Sequence, residues 1–397
     1  MFCTCILTLP LTISIQAETF AEYFLQIFNI KICSSSKLEK IFLIKFIGYG
    51  LCWLLIFINF FSLRTFASRF QIICSSAKIL AILLIIGIGF YIFIFNDNYF
   101  KLNFSQPFAN SNFDISLIVN ALFSALFSYD GWDILNFGAE EIKNLKQTLF
   151  FAMPVGIILV AFLYIFVNLA FLIVIPINEI KDSVTIVNLF SNLSMGILKP
   201  LLPFLICIML IGSLNSTLFV ASRYMLAAAS KGQLPTFLYC INLKNDSPRV
   251  ALIFQVILAF IFSFLNSFDK LIGYVSFIMW TQRLFTICAL IKIKLFYLNK
   301  LNNNSIINIP IIFPFIFLIF ILFLVGVTIF KDFNTSSIGL YILAISLILF
   351  YLFIWEKSPL LKSSKFIRIF NYLNEKLFIF TQIIFNGNQI NFEEKIN

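Results

Sequence analysis

The stretch Ser75–Phe95, SSAKILAILLIIGIGFYIFIF, has one charged residue, Lys78, followed by seventeen positions with none. A soluble helix would show a polar face with a period near 3.6 residues, and this run has none. Its length matches the roughly 20 residues needed to cross the hydrocarbon core of a bilayer. The same texture recurs along the chain. Of 397 residues, 61% are apolar and only 12% are charged, where soluble domains carry about 25% charged residues. The fold class read from this pattern is all-α, a polytopic membrane protein.

Working outward, ten apolar segments lie near 7–28, 41–61, 77–95, 115–137, 150–175, 197–222, 250–268, 271–291, 311–330 and 337–355. The first has two readings, a partial span or a signal peptide that lacks a basic leading region. Residues 1–356 read as one membrane domain and 357–397 as a basic, weakly amphipathic cytoplasmic tail that rests on the inner membrane surface or stays flexible. Basic residues cluster in alternate loops (Arg64 and Arg69; Lys143 and Lys146; Arg223, Lys231, Lys244 and Arg249; Lys292, Lys294 and Lys300) and in the tail. Those loops are cytoplasmic by the positive-inside bias. Lys31, Lys37 and Lys40 dissent. Sequons at Asn103, Asn192 and Asn334 fall on the opposite side, but others at Asn215, Asn245 and Asn303 fall in a helix or inner loops, so the pattern is not selective.

The net charge of +10 follows from this loop pattern, so lipid rather than nucleic acid is the expected neighbour. No histidine is present, and the eight cysteines form no CxxC pair. Metal, cofactor and enzyme chemistry are therefore not indicated.

Four sites place polar groups where oil is expected. Asp130, Gly131, Trp132 and Asp133 interrupt the segment near 115–137. A central aspartate costs about 2.5–3.5 kcal/mol, and a helix broken at Gly131 would expose its backbone to a polar hollow, as broken transporter helices do. The plain alternative is that Asp130 marks the membrane exit. Lys78 is either a snorkelling helix-end residue or a fixed cation inside the bundle, in the place of a coupling ion. "GSLNSTLFVASR", Gly212–Arg223, offers small residues for close helix packing, with Arg223 marking the cytoplasmic end. Arg283, in "FIMWTQRLF", lies deep in its segment and needs a partner or a wet cavity; the sequence names neither.

These motifs resemble light-chain subunits of heteromeric amino-acid transporters. The resemblance runs in family order through "TFAEYFLQ", "SAKILAILLI", "FSYDGWDILNFGAEEIKN", "GSLNSTLFVASR…SKGQLP" and "IGYVSFIMW". It implies the twelve-helix amino acid–polyamine–cation architecture, an inverted-repeat bundle in which the ten segments are helices three to twelve. The first two have no counterpart, so the chain is either a fragment or lacks half its binding site. By resemblance, Phe127 is an aromatic gate and Asp130, Gly131, Trp132 and Asp133 form the unwound turn at the substrate. Phe277 and Trp280 shape the side-chain pocket. Asp130 would then favour cationic side chains, and Lys78 would replace sodium. The resemblance also implies that Cys33 forms the disulfide to a single-pass heavy-chain glycoprotein, although the residues flanking it do not match. The expected function is sodium-independent exchange of neutral or cationic L-amino acids at the plasma membrane. The alternative is a transport-inactive subunit that only binds a partner glycoprotein.

Overall fold

The computed structural model describes residues 3–28, 37–61, 66–95, 98–105, 111–132, 145–182, 185–242, 247–264, 268–296, 310–331, 333–353 and 364–385. Cys33 and Asp133 lie outside them. Within these residues the regular structure is helical, joined by turns and irregular stretches, with one isolated bridge between Asn242 and Ser247. The helices are α1 (Leu9–Ile27), α2 (Lys37–Phe61), α3 (Phe66–Phe95), α4 (Asn98–Ser105), α5 (Ile115–Ser128), α6 (Leu145–Val174), α7 (Ile177–Asp182), α8 (Ile186–Ser194), α9 (Leu201–Ser230), α10 (Arg249–Phe262), α11 (Phe268–Phe296), α12 (Ile312–Lys331), α13 (Phe333–Phe353) and α14 (Ser364–Phe385). Among the described residues, seven helices are long and apolar enough to cross a membrane. Three shorter apolar helices, at Ile115–Ser128, Arg249–Phe262 and Ser336–Leu352, fall on the remaining segments. The protein is a multi-pass, all-α membrane protein.

The bundle is built around α1. A π-helical turn, Thr4–Thr8, leads into it, just ahead of Pro10, which has no N–H to give the preceding turn. Helix α1 packs against α2, α9, α10 and α11. Its span is 61% buried, against 17% for α3 and α6. Those two helices turn large side chains outward, such as Ile79, Leu83, Ile158 and Phe162. Exposed apolar side chains of this kind suit lipid rather than water.

Close approach between helices comes from small residues. A Cβ at Gly48 would sit 2.6 Å from the Ala17 carbonyl oxygen of α1, and one at Gly212 would overlap Cys74 of α3. Two buried polar contacts cross the same core. Lys45 lies 4.0 Å from Glu18 and donates to the Ser263 carbonyl and, at 3.1 Å, to its hydroxyl. Its ammonium also sits 3.8 Å above the Phe264 ring. Asn59 donates to Asn215 at 2.8 Å.

Several sequence expectations are corrected. Helix α3 starts at Phe66 rather than near 77, and α9 runs seven residues past Arg223. Arg223 stacks on Phe219, 4.1 Å from its ring; the helix itself ends at Lys231, before Gly232 with φ +69°. Asn103 is buried and donates to the Leu172 and Ile175 carbonyls at 2.7 and 2.9 Å. Its amide thus ties α4 to the end of α6.

Candidate functional site

Helix α5 begins at an Asp114 cap, whose carboxylate accepts from the Ser116 N–H, and stops at Ser128. The Ser128 carbonyl accepts from the Tyr164 hydroxyl at 2.9 Å, and the Asp130 N–H turns back to the Phe127 carbonyl at 3.0 Å. Gly131 follows with φ +95°. That value is strained for a residue with a Cβ and ordinary for glycine. The helix therefore ends at the residues the sequence singled out, and the stretch from Asp133 on lies outside the described residues.

Beside the break lies a cavity of about 620 Å³, within the range of roughly 300–1,000 Å³ that holds small ligands. One wall is a stripe on and just before α1: Thr4, Thr8, Thr12 and Gln16. A spacing of four places them on one helical face. A second wall is Ser213, Ser216 and Thr217 of α9, where Thr217 donates to Gln16 at 3.0 Å. Helix α3 brings Gln71 and Lys78. The tight Cys74–Gly212 crossing sets Lys78 against α9, and its ammonium donates to the Ser213 hydroxyl at 2.8 Å. Helix α11 supplies Gln282, Arg283 and Thr286; Gln282 accepts from the Thr4 hydroxyl at 3.0 Å. Three polar atoms on these walls are buried without a hydrogen-bond partner among the described residues: Thr8 Oγ1, Gln71 Oε1 and Gln282 Nε2. Buried polar atoms are nearly always satisfied; these three are enclosed by protein, while their residues border the cavity.

Phe127, Asp130, Gly131 and Lys78 all line the cavity. Phe127 also packs against the cluster of Leu11, Ile15 and Val275. Phe277 and Trp280 do not line it. Both belong to the apolar cluster of Val119, Phe123, Ile321, Leu324 and Val325, and Phe277 presses against Gly339 of α13. They brace the wall from behind. Trp132 is 42% exposed and meets the site through Arg283.

Arg283 gains its partner here. Its Nη2 lies 3.6 Å from Asp130 Oδ1, and its guanidinium lies 5.0 Å from the rings of both Trp132 and Trp280. Asp130 is therefore half of an ion pair and not a bare carboxylate. The described charged groups on the lining are Lys78, Arg283 and Asp130, which leaves a net positive wall.

The α1 stripe and the buried Glu18–Lys45 pair escaped the sequence reading. Each carried a signal: hydroxyl or amide residues every fourth position in an oily run, and a lysine well inside the segment near 41–61.

Comparison with known proteins matches a family model described as amino acid permease to residues 1–350. Amino acid transporter protein 6 of Caenorhabditis elegans is 42% identical over 382 residues, covering 96% of this chain and 72% of that protein. Large neutral amino acids transporter small subunit 2 of Homo sapiens is 30% identical over 335 residues, 83% of this chain and 61% of the relative. The human cystine/glutamate transporter is 27% identical over 376 residues, 94% of this chain and 71% of that protein.

Proposed function

The chain belongs to the amino acid permease family, a family of amino-acid transporters and not of enzymes, and on that footing we propose that the cavity beside Gly131 carries an L-amino acid across the plasma membrane by sodium-independent exchange. The observation that carries this reading is a cavity at the end of α5 walled by polar residues of three helices, Thr8 and Thr12 at α1, Gln71 of α3 and Ser213, Ser216 and Thr217 of α9, beside Asp130 and Gly131. A broken helix beside a polar hollow between packed helices is the general form of a transporter site.

Four side chains take distinct roles. Asp130 and Gly131 hold the turn open. Phe127 covers the bound amino acid. Lys78, bonded to Ser213, places an ammonium where a coupling cation would otherwise sit, which accounts for transport without sodium. Transport proceeds by rocking of the broken-helix bundle against the scaffold. The basic loops and tail face the cytoplasm by the positive-inside bias. Cys33 pairs with a single-pass heavy-chain glycoprotein, as expected for a small subunit.

The test is counterflow in cells expressing the protein with a heavy chain. Labelled leucine should enter only when unlabelled amino acid is present on the far side, at the same rate with sodium or choline. Co-purification with a heavy chain but no flux or binding of any amino acid would replace this reading with that of a transport-inactive partner subunit.

A further inference from the structure

Arg283 sits near the middle of α11, about 20 Å along the helix from its end at Phe296. A helix-end lysine or arginine can snorkel to the surface; one at this depth is held by what surrounds it. Its guanidinium is held near two indoles, those of Trp132 and Trp280, and faces Asp130. This is the arrangement a substrate guanidinium would adopt: aromatic faces beside it and a carboxylate ahead. We propose that Arg283 is a tethered cationic side chain that fills the cation place of the cavity, so that the site selects amino acids with neutral side chains and rejects cationic ones. The inference rests on the transport reading above and sharpens it to a substrate class.

Charge supports the assignment. An arriving arginine would have to displace Arg283 from Asp130, and would then share the cavity with two fixed cations, Arg283 and Lys78. A neutral side chain meets neither cost. The carboxylate at position 130, read alone, points to cationic substrates; read with its partner, it points away from them.

Purified full chain is assayed for equilibrium binding of labelled L-leucine, L-arginine and L-glutamate. Wild type should bind leucine in preference to arginine. Arg283→Met should raise the arginine-to-leucine affinity ratio by about tenfold or more, while Arg283→Lys, which keeps a cation beside Asp130, should leave that ratio near wild type. The double variant Asp130→Asn/Arg283→Met should return the ratio to wild type, because the vacated place then lacks its carboxylate. Asp130→Asn alone releases Arg283 and should raise the glutamate-to-leucine ratio. Leucine binding by wild type with an unchanged arginine ratio in Arg283→Met overturns the inference and leaves the transport reading standing. If Arg283→Met cannot be recovered folded, an unchanged glutamate ratio in Asp130→Asn overturns it equally. A wild-type chain that binds none of the three amino acids removes the transport reading, and this inference with it.

Discussion

Replacing Gly212 by alanine adds one methyl group at the tightest point of the α3–α9 crossing. The new Cβ would overlap the Cys74 Cβ and lie 3.1 Å from its sulfur, while the Cys74 Cα stays at 3.7 Å. The clash is with the first side-chain carbon, so no rotamer of Cys74 relieves it and the helices must separate. Overpacking of this kind costs about 1–3 kcal/mol, offset by up to about 1 kcal/mol for removing a helical glycine. A net loss of about 1–2 kcal/mol is expected. The neighbouring Lys78–Ser213 bond, at 2.8 Å, lies one residue beyond Gly212 on α9 and should lengthen with the crossing. Denaturation in detergent and leucine uptake measure the two effects. The compensating variant is Cys74→Gly, which removes the clashing atom and leaves only the 3.7 Å contact. Gly212→Ala/Cys74→Gly should therefore lose less than the sum of the single changes and regain uptake. Strict additivity, or a Gly212→Ala protein as stable and active as wild type, would refute the reasoning.

Gly131→Ala meets φ +95°, a strain of about 1–3 kcal/mol; uptake should fall at least several-fold, and unchanged uptake would show that the turn adapts freely. Lys45→Met breaks a buried pair whose side chains are 9% and 17% exposed, a loss of about 3–5 kcal/mol; Glu18→Gln/Lys45→Met should recover part of it, and a double variant no better than Lys45→Met would deny the coupling. In the loop before α10, burial holds the Cys240 thiol above its ordinary 9.0, against a smaller downward pull from its contact with Thr381 of α14. Less thiolate is then present at neutral pH, so maleimide labelling of Cys240 should be slow there and rise as pH passes 9. The contribution to α14 docking is complete below pH 9 and lost above it. Removing 364–397 should speed labelling at pH 7.5; an unchanged rate would show that α14 does not cover the thiol.

Hydropathy made the ten apolar segments legible because lipid-facing helices such as α3 and α6 need no polar side. Their ends were harder to read. The first turns of α3, with Arg69 and Gln71, dilute the apolar signal although Gln71 faces the cavity. The turn at Gly131 was legible from the aspartate–glycine pair together with the family resemblance. Its electrostatics were not: Asp130 lies in the turn after α5 and Arg283 in the middle of α11, and each looked like an isolated charge until packing joined them. Phe277 and Trp280 are another instance, since helix position gives depth but not which face meets a neighbour.

The most direct measurement is substrate protection of the cavity wall. Ser216→Cys, in a chain with its other reactive thiols blocked or replaced, is modified by a water-soluble methanethiosulfonate reagent with and without saturating leucine. The account predicts that leucine slows modification several-fold and that sodium does not change this. Modification at the same rate in both conditions, from a chain that demonstrably binds leucine, would place the amino acid somewhere other than this cavity.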